Sequence, residues 1–196
     1  TNRNAIKKYF IYSFIPAPTT IYKNIYKVKH AENIKINLQN KSVSKNIYYE
    51  PKIIKNHNYT EDDFLESLDE ILQQSVKSRL LSDSKMGVFL SGGLDSSLIS
   101  FYAKRENANL ESYSISVNEK SFDEIEQAKE MSNFLKVKLN HTMLDQKNFN
   151  ENFQNIIKLL DEPIGAPTFI PMYFLSALTS PNVKSVLSGD GADEIF

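Results

Sequence analysis

The amino-acid sequence predicts an α/β protein: a parallel, twisted sheet with helices on both faces, preceded by a short β-containing segment. Three observations carry this expectation. From Thr60 onward, short apolar runs alternate with stretches of helical period, the pattern of strands joined through helices into a parallel sheet. Two of the apolar runs stop in similar loops, Ser91-Gly92-Gly93 and Ser188-Gly189-Asp190. Residues Tyr9 to Pro51 differ from the rest, being aromatic, rich in Lys and Asn, and punctuated by Pro. The expected division is therefore 1–58 for the leading segment and 59–196 for the sheet domain.

In the leading segment, TIYKNIYKV and NIKINL alternate over short lengths and predict small strands or a hairpin. Residues Lys52 to Thr60 predict a connector. TEDD then offers an N-cap with acidic residues in the first turn, where they complement the helix dipole. Phe64, Leu68, Ile71, Leu72, Val76 and Leu80 recur at helical spacing and carry that helix to about Leu81, before a turn at SDSK. MGVFL predicts a strand and SSLISFYAKRE a helix. LESYSISV and FDEIEQAKEMSNFL repeat the pair, as do KVKLNHTML and FNENFQNIIKLL. PTFIPMYFLSALT predicts a helix despite Pro171, and VKSVLSG a last strand.

Composition narrows the function classes. The 196 residues are 41% hydrophobic and 24% charged, an ordinary globular balance. With 23 basic and 24 acidic residues, bulk charge gives no attraction to nucleic acid or to an anionic membrane. Cysteine is absent, which removes disulfides, thiolate metal sites and cysteine nucleophiles together. No apolar stretch approaches the roughly 18–20 residues that cross a bilayer, and Pro16 and Pro18 interrupt any signal-like core, so the expected location is cytoplasmic. The chain starts at Thr1 without Met and stops at Phe196 directly after a motif, as a piece of a longer protein would.

Ser91, Gly92 and Gly93 follow a strand and open a helix, where backbone N–H groups lack partners and the dipole is positive. Two glycines allow positive φ and close backbone approach, and Ser91, Ser96 and Ser97 add hydroxyls. That is a cradle for phosphate or pyrophosphate, without the spacing and Lys of a Walker A loop or the Rossmann glycine pattern. Asp95 would repel such a ligand unless a cation such as Mg²⁺ stood between them. The alternative at this point is a tight turn with Asp95 capping the helix. VLSGDGADEIF repeats the logic with Ser188, Gly189, Asp190, Asp193 and Glu194, although in isolation it would be a solvated acidic turn. Its register is not that of an EF-hand. Together the loops can take a Mg²⁺–nucleotide from both sides.

SGGLDSS resembles the PP-loop of ATP pyrophosphatases, whose fold is that of the adenine nucleotide alpha hydrolases. With SGDGADEIF, DEPIGAPT and SYSISV it resembles the synthetase domain of glutamine-hydrolysing asparagine synthetases, with β-lactam synthetases as near relatives. IPAPTTIYKNIYKV is similar to the segment ahead of that domain, so the resemblance spans nearly the whole chain. It implies ATP and Mg²⁺ as cofactors, with cleavage between the α- and β-phosphates. Aspartate becomes β-aspartyl-AMP, pyrophosphate leaves, and ammonia derived from glutamine gives asparagine. Ser91, Gly92, Gly93, Asp95 and Ser96 match the pyrophosphate loop. Leu90 and Ile115 match positions lining the adenosine, and Ser188 and Gly189 the second nucleotide-contacting loop. Asp95 and Asp193 match metal-facing carboxylates. Asp190 matches a catalytic position that supports adenylation, and Asp123 is a further candidate. The resemblance also implies a glutaminase domain as partner in the full-length chain, small-molecule substrates, and a homodimer.

Departures from the pattern set limits. The glutaminase of that family uses an N-terminal Cys, which this chain lacks, and the Gly-Gly-Tyr segment and pyrophosphate-contacting Lys that follow DEIF are not in it. A related ligase or cyclase acting on another carboxylate, or a nucleotide-binding module without catalysis, are the competing readings. His30, His57 and His141 lack metal-ligand spacing, and Asp161-Glu162 before Pro163 suits a helix end.

Overall fold

The computed structural model describes residues 1–52, 59–118 and 123–192. Contacts group the chain into two compact units, Thr1–His57 with Gln154–Pro167, and Asn58–Phe153 with Thr168–Phe196. The expected connector falls largely on residues 53–58, outside the described residues.

The first unit opens with a helix that the apolar pattern does not announce, α1 (Arg3–Tyr12). The Asn2 side chain accepts from the Asn4 N–H at 3.1 Å, and Ser13 ends the helix in the left-handed region at φ 63°. Its signal is weak because only Ala5 is buried, while Phe10 and Ile11 are exposed. TIYKNIYKV does not become a strand. The Thr20 hydroxyl donates to the Ile25 carbonyl at 2.7 Å and turns the chain, leaving one isolated bridge between Thr19 and Tyr26. NIKINL does pair: β1 (Glu32–Ile36) runs antiparallel to β2 (Val43–Ile47), with Glu32 opposite Ile47 and Ile36 opposite Val43. Lys27 pairs with Glu162 within this unit.

The second unit begins with α2 (Glu61–Arg79). Thr60 and Asp63 close its start reciprocally: the Asp63 N–H donates to the Thr60 hydroxyl at 3.2 Å, and the Thr60 N–H to the Asp63 carboxylate at 3.0 Å. There follow β3 (Met86–Phe89), α3 (Leu94–Glu106), β4 (Glu111–Val117), α4 (Ile125–Leu135) and β5 (Lys138–Leu144). The chain continues through α5 (Gln146–Lys158), α6 (Phe169–Thr179) and β6 (Ser185–Leu187). Pro171 is tolerated in α6 because it sits in the first turn, where an N–H has no helical partner to lose. Among the described residues no helix is long and apolar enough to cross a membrane.

The four strands form a parallel sheet in the order β5-β4-β3-β6. Alternation along β3 and β6 sends side chains to opposite faces. Val88 and Leu187 pack with Val76, Tyr102, Ala103 and Leu135 from the α2, α3 and α4 side. Phe89 and Val186 pack with Tyr113, Leu175 and Leu178 on the α6 side. The sheet is covered on both faces, as parallel sheets require. Charge gathers at the N-terminal ends of the strands. There Glu111 accepts from Lys85 at 2.7 Å and from Asn140 at 3.1 Å, with Lys138 at 3.6 Å. The Lys85 ammonium holds the Glu111 carboxyl below its ordinary value, against some opposition from burial.

Candidate functional site

Strand order creates one crevice in this sheet. From β3 the crossovers run through β4 to β5 on one side, while β6 lies on the other side of β3. In open parallel sheets the loops leaving two such strands part at their carboxyl ends and leave room for a ligand. Those loops are residues 90–93 after β3 and 188–192 after β6.

The first loop is organised by its own hydroxyls. The Ser91 N–H donates to the Ser96 hydroxyl at 3.2 Å, the Gly93 N–H to the Ser91 hydroxyl at 3.3 Å, and the two hydroxyls stand 2.9 Å apart. Gly92 turns at φ 89°, and a Cβ there would lie 2.5 Å from the Gln127 backbone carbon, so α4 presses directly on the turn. Gly93 is the N-cap of α3 and has no side chain to satisfy the first-turn donors. Those N–H groups and the positive end of the helix dipole are left for an anion.

The second loop is seated on the first. A Cβ on Gly189 would lie 2.8 Å from the Ser96 nitrogen and 2.9 Å from the Asp95 carbonyl carbon. Only glycine allows that approach between the loop after β6 and the first turn of α3. Ser188 donates to the Asp190 carboxylate at 2.5 Å and accepts the Asp190 N–H at 3.0 Å.

Between the loops lies an open cleft of about 550 Å³. Of the residues singled out from sequence, Leu90, Ser91, Asp95, Ser96, Ile115, Ser188, Gly189 and Asp190 line it. Gly92 and Gly93 shape the loop from behind. Asp123 uses its carboxylate elsewhere: Oδ1 accepts from the Val117 and Ile125 N–H groups at 3.4 and 3.3 Å. Asp193 lies outside the described residues. Sequence reasoning missed Glu124, Tyr113, Met172 and Leu175, which also line the cleft. The last three make an apolar wall with Ile115, and only the α/β alternation that places α6 over β4 could have found them. Charge on the described lining is of one sign: Asp95, Glu124 and Asp190, with no Lys, Arg or His.

An apolar wall, open helix-terminal donors and hydroxyls suit a ligand with a flat base and a phosphate chain. Residues 67–196 match the asparagine synthase family model. The whole chain is 33% identical to a protein named putative asparagine synthetase [glutamine-hydrolyzing] 2 of Methanocaldococcus jannaschii, and spans 38% of that protein's length. It is 28% identical to asparagine synthetase [glutamine-hydrolyzing] 1 of Bacillus subtilis, over all of this chain and 30% of that one. Among solved structures, an NH3-dependent NAD synthetase from Campylobacter jejuni superposes with a TM-score of 0.46 at 16% identity. That superposition covers 66% of this chain and 58% of the other. The family match takes in both loops, so both walls of the cleft fall inside it: the chain belongs to the asparagine synthase family.

Proposed function

We propose that this chain forms the nucleotide-cleaving part of an ATP-dependent amide ligase that activates aspartate. The observation that supports the reading best is Gly189 seated on the first turn of α3. It makes one cleft of two loops that are distant in sequence, with donors on one side and carboxylates on the other.

In this reading the adenine base lies against Ile115, Met172 and Leu175, and the phosphates meet the Ser91 and Ser96 hydroxyls and the first N–H groups of α3. The substrate carboxylate attacks the α-phosphorus. The bond from that phosphorus to the bridging oxygen breaks, and pyrophosphate leaves with its electron pair. Ammonia then attacks the acyl carbon and AMP departs, giving asparagine. Asp190 sits beside the reacting groups, where a carboxylate orients the substrate and can take a proton from the attacking nitrogen.

The described lining fits a divalent cation entering with the nucleotide. Asp95 stands beside the anion cradle, and nothing cationic among the described lining residues would otherwise offset the repulsion. Asp95 would hold Mg²⁺, with Asp193 a second candidate. Bound there, the ion neutralises charge on the phosphate oxygens.

The test is pyrophosphate release by the complete polypeptide. Aspartate with ammonia should stimulate it in a Mg²⁺-dependent manner. Stimulation by a different carboxylic acid and not by aspartate would overturn the substrate assignment, and binding of an ATP analogue without turnover would reduce the chain to a nucleotide-binding module.

A further inference from the structure

Asp190 does not stand free in the cleft. Its carboxylate oxygen Oδ2 accepts from the Ser188 hydroxyl at 2.5 Å, while its own N–H donates to the same hydroxyl oxygen at 3.0 Å. One hydroxyl therefore grips the residue at both its backbone and its side chain. The residue between them, Gly189, is packed closely on the backbone of Asp95 and Ser96, so the hydroxyl sits on a part of the loop braced by the first turn of α3. Gly191, on the other side, turns at φ 94°.

We propose that Ser188 is a positioning residue for Asp190: by occupying Oδ2 it fixes the side-chain torsion and leaves Oδ1 as the oxygen that faces the reacting groups. Asp190 is exposed, so without this bond its carboxylate would sample several staggered rotamers. Selecting one of them in advance is the kind of preorganisation that raises turnover rather than ground-state binding. The inference rests on the reading of Asp190 as the carboxylate that supports adenylation. It differs from a direct contact between Ser188 and the nucleotide, which would weaken nucleotide binding whatever residue stood at 190.

A double-mutant cycle in the complete polypeptide separates the two roles. Ser188→Ala, Ser188→Thr, Asp190→Asn and Ser188→Ala with Asp190→Asn would be compared for pyrophosphate-forming kcat and for Kd of a non-hydrolysable ATP analogue. Ser188→Ala is expected to lower kcat by about tenfold or more with Kd within about twofold, the scale of one hydrogen bond to a charged group. Ser188→Thr, which keeps the hydroxyl, should recover most of the loss. In the Asp190→Asn background Ser188→Ala should cost nothing further. If the Ser188→Ala loss persists at full size in that background, or Kd rises in step with the fall in kcat, the positioning role is overturned while the Asp190 assignment stands. If Asp190→Asn leaves pyrophosphate formation intact, the assignment of Asp190 fails, and this inference with it.

Discussion

Replacing Gly189 by Ala adds a single methyl group at the point where the two loops meet. Its carbon would lie 2.8 Å from the Ser96 nitrogen, 2.9 Å from the Asp95 carbonyl carbon and 3.0 Å from the Asp95 Cβ. All three atoms belong to the first turn of α3, so no flexible side-chain tip can swing aside. The backbone of Gly189 is not in the left-handed region, and the cost is therefore steric alone. Restoring ordinary contact requires the loops to part by about half an ångström, and overpacking of this kind costs about 1–3 kcal/mol. Part of that falls on folding: for a domain of this size each kcal/mol lowers Tm by about 2–4 °C. The rest falls on the ligand, because the carboxylates move away from the helix-terminal donors. A loss of about threefold to thirtyfold in affinity for an ATP analogue is expected, at about 1.4 kcal/mol per tenfold. Calorimetric titration beside a thermal melt reads both quantities. Affinity within twofold of the parent in a normally folded Gly189→Ala protein would refute the claim that this contact assembles the cleft.

Other expectations follow from the same contacts. Gly92→Ala should be worse, since it combines a φ of 89° with an approach of 2.5 Å to Gln127. A loss of at least about 3 kcal/mol in urea-induced unfolding is expected from strain and overpacking together. Tyr102→Phe should cost about 0.5–1.5 kcal/mol, because it removes the 2.5 Å bond to Asp69, whose exposed carboxylate then turns to water. Burial first, and then the Asp69 bond, push the Tyr102 phenol up to about 12, and burial pushes Tyr113 to about 12 as well. The unfolded chain then releases these protons first, so their stabilisation is complete below about pH 10 and lost as pH rises toward 12. Thermal melts against pH should show that alkaline limb, and Tyr102→Phe should shallow it. Glu111 has the opposite sign: its lowered value gives stability that is present above the ordinary carboxyl range and lost as pH falls through it. Glu111→Gln should flatten the acid limb.

Most of the sheet domain was legible because its signals are local. Thr60 and Asp63 announce the start of α2, and β3 and β6 end where serine and glycine interrupt apolar runs. Boundaries moved where residues beyond the motif decide them. α5, for example, begins at Gln146, three residues ahead of Phe149 where the sequence placed it, with Asp145 accepting from the Asn148 N–H at 2.7 Å. α1 escaped because its apolar side chains are mostly exposed and so leave no one-sided stripe to detect. The strand expected at TIYKNIYKV failed because the Thr20 hydroxyl captured a carbonyl, a competition between side chain and backbone that residue patterns do not rank. In the cleft, the loop residues carry motifs, whereas Met172 and Leu175 belong to an apolar helix whose sequence gives no hint of what it overlies.

The place of β6 beside β3 has a consequence for biosynthesis. When β3, β4 and β5 have emerged from the ribosome, the anion cradle has its glycines and hydroxyls but no opposing loop, because the strand that carries it comes last of the four. The contact between Gly189 and the start of α3 joins residues distant in sequence, and such contacts form only after the loop-closure entropy of what lies between them has been overcome. A nascent chain that has not yet placed β6 beside β3 therefore lacks the contact that seats one loop on the other, and the two walls of the cleft come together only when that strand docks.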